Sequence, residues 1–179
     1  TELVEMMQPE TAQFDLSMKT EHGTVASSSD FVYDYAIEQL EDAQRVTLTL
    51  ALSADAWLKY HYTLYNTGDA SRDYLIDFDI VEHNIAKHLA ANESLKLTWR
   101  SRSNKNERSY QNENMATNII YFEDGDMEEF DTSGEKETLE NISWIAYKQQ
   151  YFTSAFISSE NLMAEAEFKN STKQGADFM

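Results

Sequence analysis

Large apolar residues alternate with polar or small residues along most of the chain. Between residues 58 and 64, every second position is Leu or Tyr, and the positions between them are Lys, His and Thr. Because successive side chains of a β-strand point to opposite faces of a sheet, this period of two predicts strands that bury one face. Roughly nine such runs at short spacing predict an all-β fold, an antiparallel β-sandwich rather than a parallel α/β sheet. The predicted strands are 14–18, 31–37, 46–52, 58–64, 74–80, 95–99, 118–122 and 162–168, with 142–158 forming two strands or one bent strand.

Turn-forming residues separate several of these runs. Asn66 and Gly68 follow one predicted strand, and Asp124 and Gly125 follow another. Since Asn, Asp and Gly tolerate the positive φ of tight hairpins, both places predict hairpin turns.

Helix is scarce in the pattern. The two candidates are the short, weakly amphipathic stretch 85–91 and the polar stretch 103–112. No change of composition marks a linker between them or elsewhere. The sequence therefore predicts one β-sandwich domain over residues 1–179.

Composition narrows the classes of function. Hydrophobic residues make up 41% of the chain and aromatic residues 12%, which is too much for a disordered protein. The 32 acidic residues against 14 basic ones give a net charge of −18, which disfavours nucleic acid and anionic lipid headgroups as ligands. There is no Cys, so the chain has no disulfide, thiol nucleophile or thiolate metal site.

No stretch approaches the roughly 18 to 20 apolar residues that a membrane-spanning helix needs. The first residues also lack the basic and apolar regions of a signal peptide. We therefore expect either a protein that is soluble as it stands or the excised soluble part of a larger one.

Acidic residues and histidines raise the question of a metal site. The stretch 123–140 contains nine acidic residues and one Lys, but the position of its Gly does not fit an EF-hand. His83 and His88 are five residues apart, not the four that a helical zinc pair needs, and His22 and His61 suggest surface positions. The sequence predicts a charged hairpin tip and loop, with no metal, cofactor or catalytic residue.

The aromatic strand 58–64 and its flanks leave one binding site open. Tyr60 and Tyr62 lie on the face that the alternation predicts as core, where rings bury much apolar area. Trp57 and Tyr65 lie on the other face. They are candidate ligand-face aromatics for stacking against a sugar ring, although a purely structural role is favoured.

The stretch 142–157 differs from an ordinary strand. It reads Ile-Ser-Trp-Ile-Ala-Tyr-Lys-Gln-Gln-Tyr-Phe-Thr-Ser-Ala-Phe-Ile. This order resembles the signature of the large periplasmic domain of the YidC membrane protein insertase family, and the stretches 59–66, 77–80 and 95–99 resemble the same family more weakly. The signature positions, which we interpret as mainly structural, are Trp144, Lys148, Gln149, Tyr151 and Phe152.

The resemblance implies a fold, a location and a role. The fold is a twisted β-supersandwich like that of galactose mutarotase, between the first two membrane helices of an insertase in the bacterial inner membrane, on the periplasmic side. The family's strands before Phe14 and after Met179 are missing or shortened, so we expect a fragment. The implied role is a non-catalytic accessory domain with Sec translocon components such as SecDF, and client membrane proteins, as partners.

Two expectations follow from these interpretations. Trp144 should be largely buried, because the signature is interpreted as core. The alternative function is a carbohydrate-binding or mutarotase-like protein, which needs an acid and a base on opposite sides of a sugar ring. The nearby candidates for that pair are His61, His83, Glu82 and Asp79.

Overall fold

The computed structural model describes residues 11–91, 93, 95–102, 108–130, 137–159 and 162–169. This part of the chain is dominated by β-strands, and the pairings whose register is defined are all antiparallel. The predicted all-β class with little helix is therefore confirmed. The strands are β1 (Ala12–Lys19), β2 (Val25–Ser27), β3 (Asp34–Gln39), β4 (Ala43–Ser53), β5 (Ala56–Tyr65), β6 (Ile76–His83), β7 (Lys96–Ser101), β8 (Asn118–Glu123), β9 (Asp126–Glu129), β10 (Glu137–Lys148), β11 (Thr153–Ile157) and β12 (Met163–Phe168).

The chain divides into two compact units. The first is Phe14–Thr98, and the second combines Thr1–Gln13 with Trp99–Met179. The boundaries fall inside β1 and β7. The single domain predicted over residues 1–179 stays a prediction.

The first unit is a sandwich of two sheets. One sheet has the order β2-β1-β7 and the other β3-β4-β5-β6. Alternate residues of β1, β4 and β5 point into the space between the sheets, because each strand presents one face to the core. The predicted burial of Tyr60 is confirmed, and Tyr62 is partly buried beside it. The core residues are Leu16, Met18, Leu50, Leu58, Tyr60 and Ile85.

The second unit contains a five-stranded sheet built around β10. The order is β11-β10-β8-β9, and β12 pairs with the earlier half of β10. A β-bulge interrupts the β8–β10 register between Ile142 and Trp144, directly after Asn141, whose φ is +58°. Such a bulge re-aims the side chains that follow it. The core residues are Ile119, Tyr121, Phe130, Ile142 and Phe168.

The two predicted turns differ in the structure. Asp124 and Gly125 both have positive φ, at +49° and +97°, and form the expected two-residue hairpin between β8 and β9. Gly68 also has a positive φ of +72°, but the connection there is longer than a tight hairpin, because β6 begins only at Ile76. Tyr74, which was expected in that strand, lies in the loop and is exposed.

The predicted strand 31–37 is shifted and is not half-buried. The observed strand is β3, and all six of its residues are exposed. The sequence prediction was wrong here because alternation indicates a strand but does not indicate whether the strand lies at the edge of its sheet.

The two helix candidates have different outcomes in the structure. Of the stretch 85–91, only the single 3₁₀ turn Ile85–His88 forms. The helix α1 covers Tyr110–Ala116, and the first half of the predicted stretch, 103–107, lies outside the described residues. Among the described residues, no helix has both the length and the apolar character needed to cross a membrane.

Candidate functional site

The signature residues form the end of the central strand β10 and its turn into β11. Lys148 pairs with Thr153, and the backbone N–H of Gln149 donates to the carbonyl of Phe152 at 2.7 Å. The chain reverses through Gln150 and Tyr151, and Tyr151 is 68% exposed at the tip. The signature is therefore a β-hairpin on the strand that connects most of this sheet.

Trp144 lies on the face of the sheet that points away from the core of its unit. Its neighbour Ile145 packs against that core, so Trp144 points the other way, and its ring stacks on Phe122 with centroids 5.9 Å apart. The cross-strand register places Met127, Phe122, Trp144 and Ile157 in one row. Trp144 is partly buried by this row rather than enclosed in a core.

Lys148 continues the same face of β10. Its Nζ lies 3.7 Å from Glu129 Oε1, and the side-chain amide of Asn118 donates to Glu129 Oε2 at 3.4 Å. Lys148 and Glu129 are both well exposed, so their ion pair contributes little to stability. The interpretation of the signature positions as mainly structural stays a prediction.

We expect Trp144→Ala to lower the free energy of unfolding by about 2 kcal/mol, less than the 3 to 5 kcal/mol typical of a fully buried ring. The lost contact is mainly the stack on Phe122. Trp144→Phe keeps an aromatic ring there and is the matched control, with a loss of about 1 kcal/mol or less. Urea unfolding measures both variants. A loss near 4 kcal/mol in Trp144→Ala would instead support the deep burial expected from the sequence.

The candidate ligand-face aromatics of the first unit do not form one platform. Trp57 and Tyr65 lie on the same face of β5 but are eight residues apart. At a rise of about 3.3 Å per residue, their rings are separated by about 26 Å along the strand, several times the width of a sugar ring.

Each of these two rings is also covered by neighbouring side chains. Trp57 stacks on His83 at 5.4 Å, and the ammonium of Lys59 lies 4.6 Å from its centroid. The Arg72 guanidinium lies 4.1 Å from the centroid of Tyr65. A hydrogen bond to Asp77 raises the pKa of Tyr65. A sugar would have to displace these contacts before it could stack.

Polar side chains fill the space between Trp57 and Tyr65 on that face. Thr47 Oγ1 lies 2.8 Å from His61 Nδ1, and Arg45 Nε donates to Thr63 Oγ1 at 3.1 Å. Thr63 is almost completely buried beneath these groups. The face is thus a hydrogen-bonded ladder across β4 and β5.

The four acid–base candidates do not converge on one point. His61 lies directly opposite Asp79, whereas His83 lies opposite Trp57, further along the strands. Glu82 falls on the opposite face, because it alternates with His83. His61 and Asp79 are neighbours with Cβ atoms about 5 Å apart, so they cannot stand on opposite sides of a sugar ring.

Within the described ranges, no three His, Asp or Glu side chains are grouped so that they could hold a metal ion. The acids of the hairpin β8–β9 are spread along an exposed edge strand, and 131–136 of the predicted acidic loop lie outside the described residues.

A buried carboxylate in the first unit was not visible in the sequence pattern. Asp15 on β1 is 8% exposed and accepts hydrogen bonds from Ser27 Oγ, Ser28 Oγ and the backbone N–H of Ser29. In the sequence Asp15 reads as the polar position of an alternating strand. The run of three Ser residues was the one available signal, but nothing connected it to Asp15 12 to 14 residues earlier.

A comparison with protein families identifies a family that matches the chain. A sequence model described as the YidC periplasmic domain matches residues 1–179. No solved structure matches the chain.

Curated relatives give the same result. The chain is 27% identical over 156 residues to a protein of Bacteroides fragilis named membrane protein insertase YidC, and this covers 85% of the chain and 24% of the relative. It is 24% identical over 173 residues to the protein of the same name from Porphyromonas gingivalis W83, covering 94% of the chain and 26% of the relative. The chain thus spans about a quarter of the length of the curated relatives that it matches.

Proposed function

Because the chain belongs to the YidC periplasmic domain family, whose place is the periplasmic side of the bacterial inner membrane, we propose that it is a non-catalytic accessory domain that assists membrane protein insertion and folding. The observation that carries this proposal is the family match over the whole chain. The layout of the ionisable groups supports it, because the acid–base candidates are spread along sheet faces instead of facing a common point.

The proposed partners are client membrane proteins and Sec translocon components such as SecDF. In the parent protein, membrane helices would flank the chain and hold it close to both. With a net charge of −18, the surface favours basic partner segments, and added salt should weaken their association.

The proposal is tested in the parent insertase. Residues 1–179 are replaced by a flexible linker, the membrane helices are kept, and insertion of radiolabelled client proteins is followed in cells over time. We expect slower insertion or lower yield of clients, because contacts outside the membrane are lost. A chemically inert folded domain of similar size in the same place is the control for spacing. Unchanged insertion of every client would contradict the proposal.

The alternative function is sugar binding or mutarotation, and the partly exposed Trp57 and Tyr65 are the observation in its favour. We expect no acceleration of anomer interconversion by polarimetry with glucose and galactose, and no heat of binding at millimolar concentrations across a panel of sugars. The physical reason is that His61 and Asp79 are neighbours on one sheet face. Saturable interconversion that is lost in His61→Ala or His83→Ala would establish the alternative.

A further inference from the structure

The sheet β3-β4-β5-β6 has an edge strand, β3, that lacks several of the usual protections. An edge strand presents free backbone groups, and proteins commonly block it with charged side chains (Lys above all), Pro, a bulge or a very short strand. β3 is six residues long, contains no Lys or Pro, and pairs with β4 in unbroken register from Asp34 to Gln39. Within the described part of the chain, β3 pairs with no other strand.

The outward-facing backbone groups of β3 can be assigned from its hairpin. The N–H of Leu40 donates to the carbonyl of Ala43 across the turn into β4. Along an antiparallel strand, alternate residues direct both their N–H and their C=O groups to the same neighbouring strand. Because Leu40 bonds to β4, the backbone groups of Tyr35, Ile37 and Gln39 point away from β4. These groups are available to pair with an added strand.

The side chains of β3 alternate in the same way. Tyr35 and Ile37 lie on the core side of the sheet but extend past the core, and they are 74% and 59% exposed. Asp34 and Glu38 lie on the other face, and within the described residues neither forms an ion pair or a side-chain hydrogen bond. Arg45 lies opposite Glu38 but hydrogen-bonds to Thr63 on the far side of β4.

The segment that contains β3 carries charge of one sign. Residues 30–42 contain five acidic residues and no basic one. A second copy of β3 would bring carboxylates against carboxylates, whereas a basic strand would meet complementary charge. The negative charge of this segment therefore disfavours pairing with a second copy of β3 and favours a basic partner strand.

The opposite edge of the sheet is different. β6 carries Glu82 in the row that also contains its apolar residues, and a charge in that row discourages strand addition. Its Asp77 is engaged with Arg72 at 3.5 Å.

We propose that β3 binds an extended partner segment in which apolar residues alternate with Lys or Arg, by adding that segment as a fifth strand of the sheet. The apolar residues would cover Tyr35 and Ile37, and the basic residues would face Asp34 and Glu38. Backbone hydrogen bonds supply part of the affinity, and the alternation supplies specificity. This inference rests on the proposed accessory function and names the partner chemistry of one surface.

The experiment uses three synthetic peptides with the whole chain. They are Lys-Val-Lys-Ile-Lys-Val-Lys, the non-alternating Lys-Lys-Val-Ile-Val-Lys-Lys with the same composition, and Glu-Val-Glu-Ile-Glu-Val-Glu with the same alternation. We expect saturable binding of the first peptide alone, weakened by salt. We also expect slower amide hydrogen exchange at Tyr35, Ile37 and Gln39 in that complex, because their N–H groups become bonded.

Two variants with matched exposure locate the binding. Ile37→Lys places a positive charge on the apolar side of β3 and should lower the affinity for the first peptide about tenfold or more. Ile76→Lys makes the same change at a position that is 60% exposed on β6, and it should leave the affinity unchanged. Both positions are exposed, and urea unfolding of the variants verifies that each one folds.

Several results would overturn the inference. Two of them concern location: an equal loss of peptide affinity in the two variants, and slower amide hydrogen exchange at β6 or β9 instead of β3. The other two concern specificity: equal affinity for the non-alternating peptide, and self-association of the chain through β3. Absence of any peptide binding would also overturn it while leaving the accessory function standing, since that function can use another surface. Loss of the accessory function is detected separately, by unchanged client insertion without the domain.

Discussion

Leu58→Ala is expected to lower the free energy of unfolding of the first unit by about 3 to 4 kcal/mol. Leu58 lies in the middle of β5, is 0% exposed, and belongs to the cluster that fills the space between the two sheets. Removing its side chain loses apolar burial and leaves a cavity that β1 and β4 cannot close, because backbone hydrogen bonds to neighbouring strands hold both strands in place. Urea unfolding followed by circular dichroism measures the loss.

The same strand provides the control for this prediction. Leu64 lies on the same face of β5, six residues further on, but is 47% exposed at the end of the sandwich. Leu64→Ala should therefore cost about 1 kcal/mol or less. Equal losses in the two variants would contradict the position of the core between the sheets.

Asp15→Asn is expected to cost about 2 to 3 kcal/mol, because hydrogen bonds to a charged group are stronger than those between neutral groups. The amide that replaces the carboxylate can accept at one oxygen only, and its NH₂ group would face hydroxyl and N–H donors. The carboxylate accepts hydrogen bonds from Ser27, Ser28 and Ser29. The substitution therefore also loosens the turn that leads from β2 toward β3, because these residues lie in it. Asp34→Asn, at an exposed position, is the control.

The pH dependence of stability provides a second measurement of Asp15. Burial raises the pKa of its carboxyl, but the hydrogen bonds from the three Ser residues lower it by more, so the pKa in the folded state lies below its ordinary value. A depressed pKa stabilises the fold above the unfolded-state value of about 3.9, and this stabilisation is lost as the pH falls through the folded-state pKa. Asp15→Asn should flatten this part of the stability curve. A curve parallel to that of the parent chain would contradict the assignment.

Strands were predictable where local alternation and burial coincide. The alternation in 58–64 identified β5 and the burial of Tyr60, and Asp124 with Gly125 identified the β8–β9 turn. The stretch 142–158 contains the end of β10 and all of β11, the two-strand form of the prediction. In each case the information lies within a few consecutive residues.

The features that escaped prediction depend on distant parts of the chain. The exposure of β3 follows from its place at the end of the strand order, and the burial of Asp15 follows from three Ser residues that fold back onto it. Likewise, the bulge after Asn141 turns Trp144 away from the core that Ile142 enters. Neither strand order nor a positive φ at one Asn can be read from a period of two.

The pairing of β1 with β7 has a consequence for the order in which the chain folds. Most other strands pair with a neighbour in sequence, so hairpins such as β3–β4, β4–β5 and β10–β11 close short loops. β1 pairs with its sequence neighbour β2 on one side, but its other partner is the distant β7. The hydroxyl of Ser17 donates to the carbonyl of Lys96, which lies 79 positions further along the chain. During synthesis β1 is made well before β7 and so finds this partner late, and closing so long a loop is expected to slow the completion of this sheet.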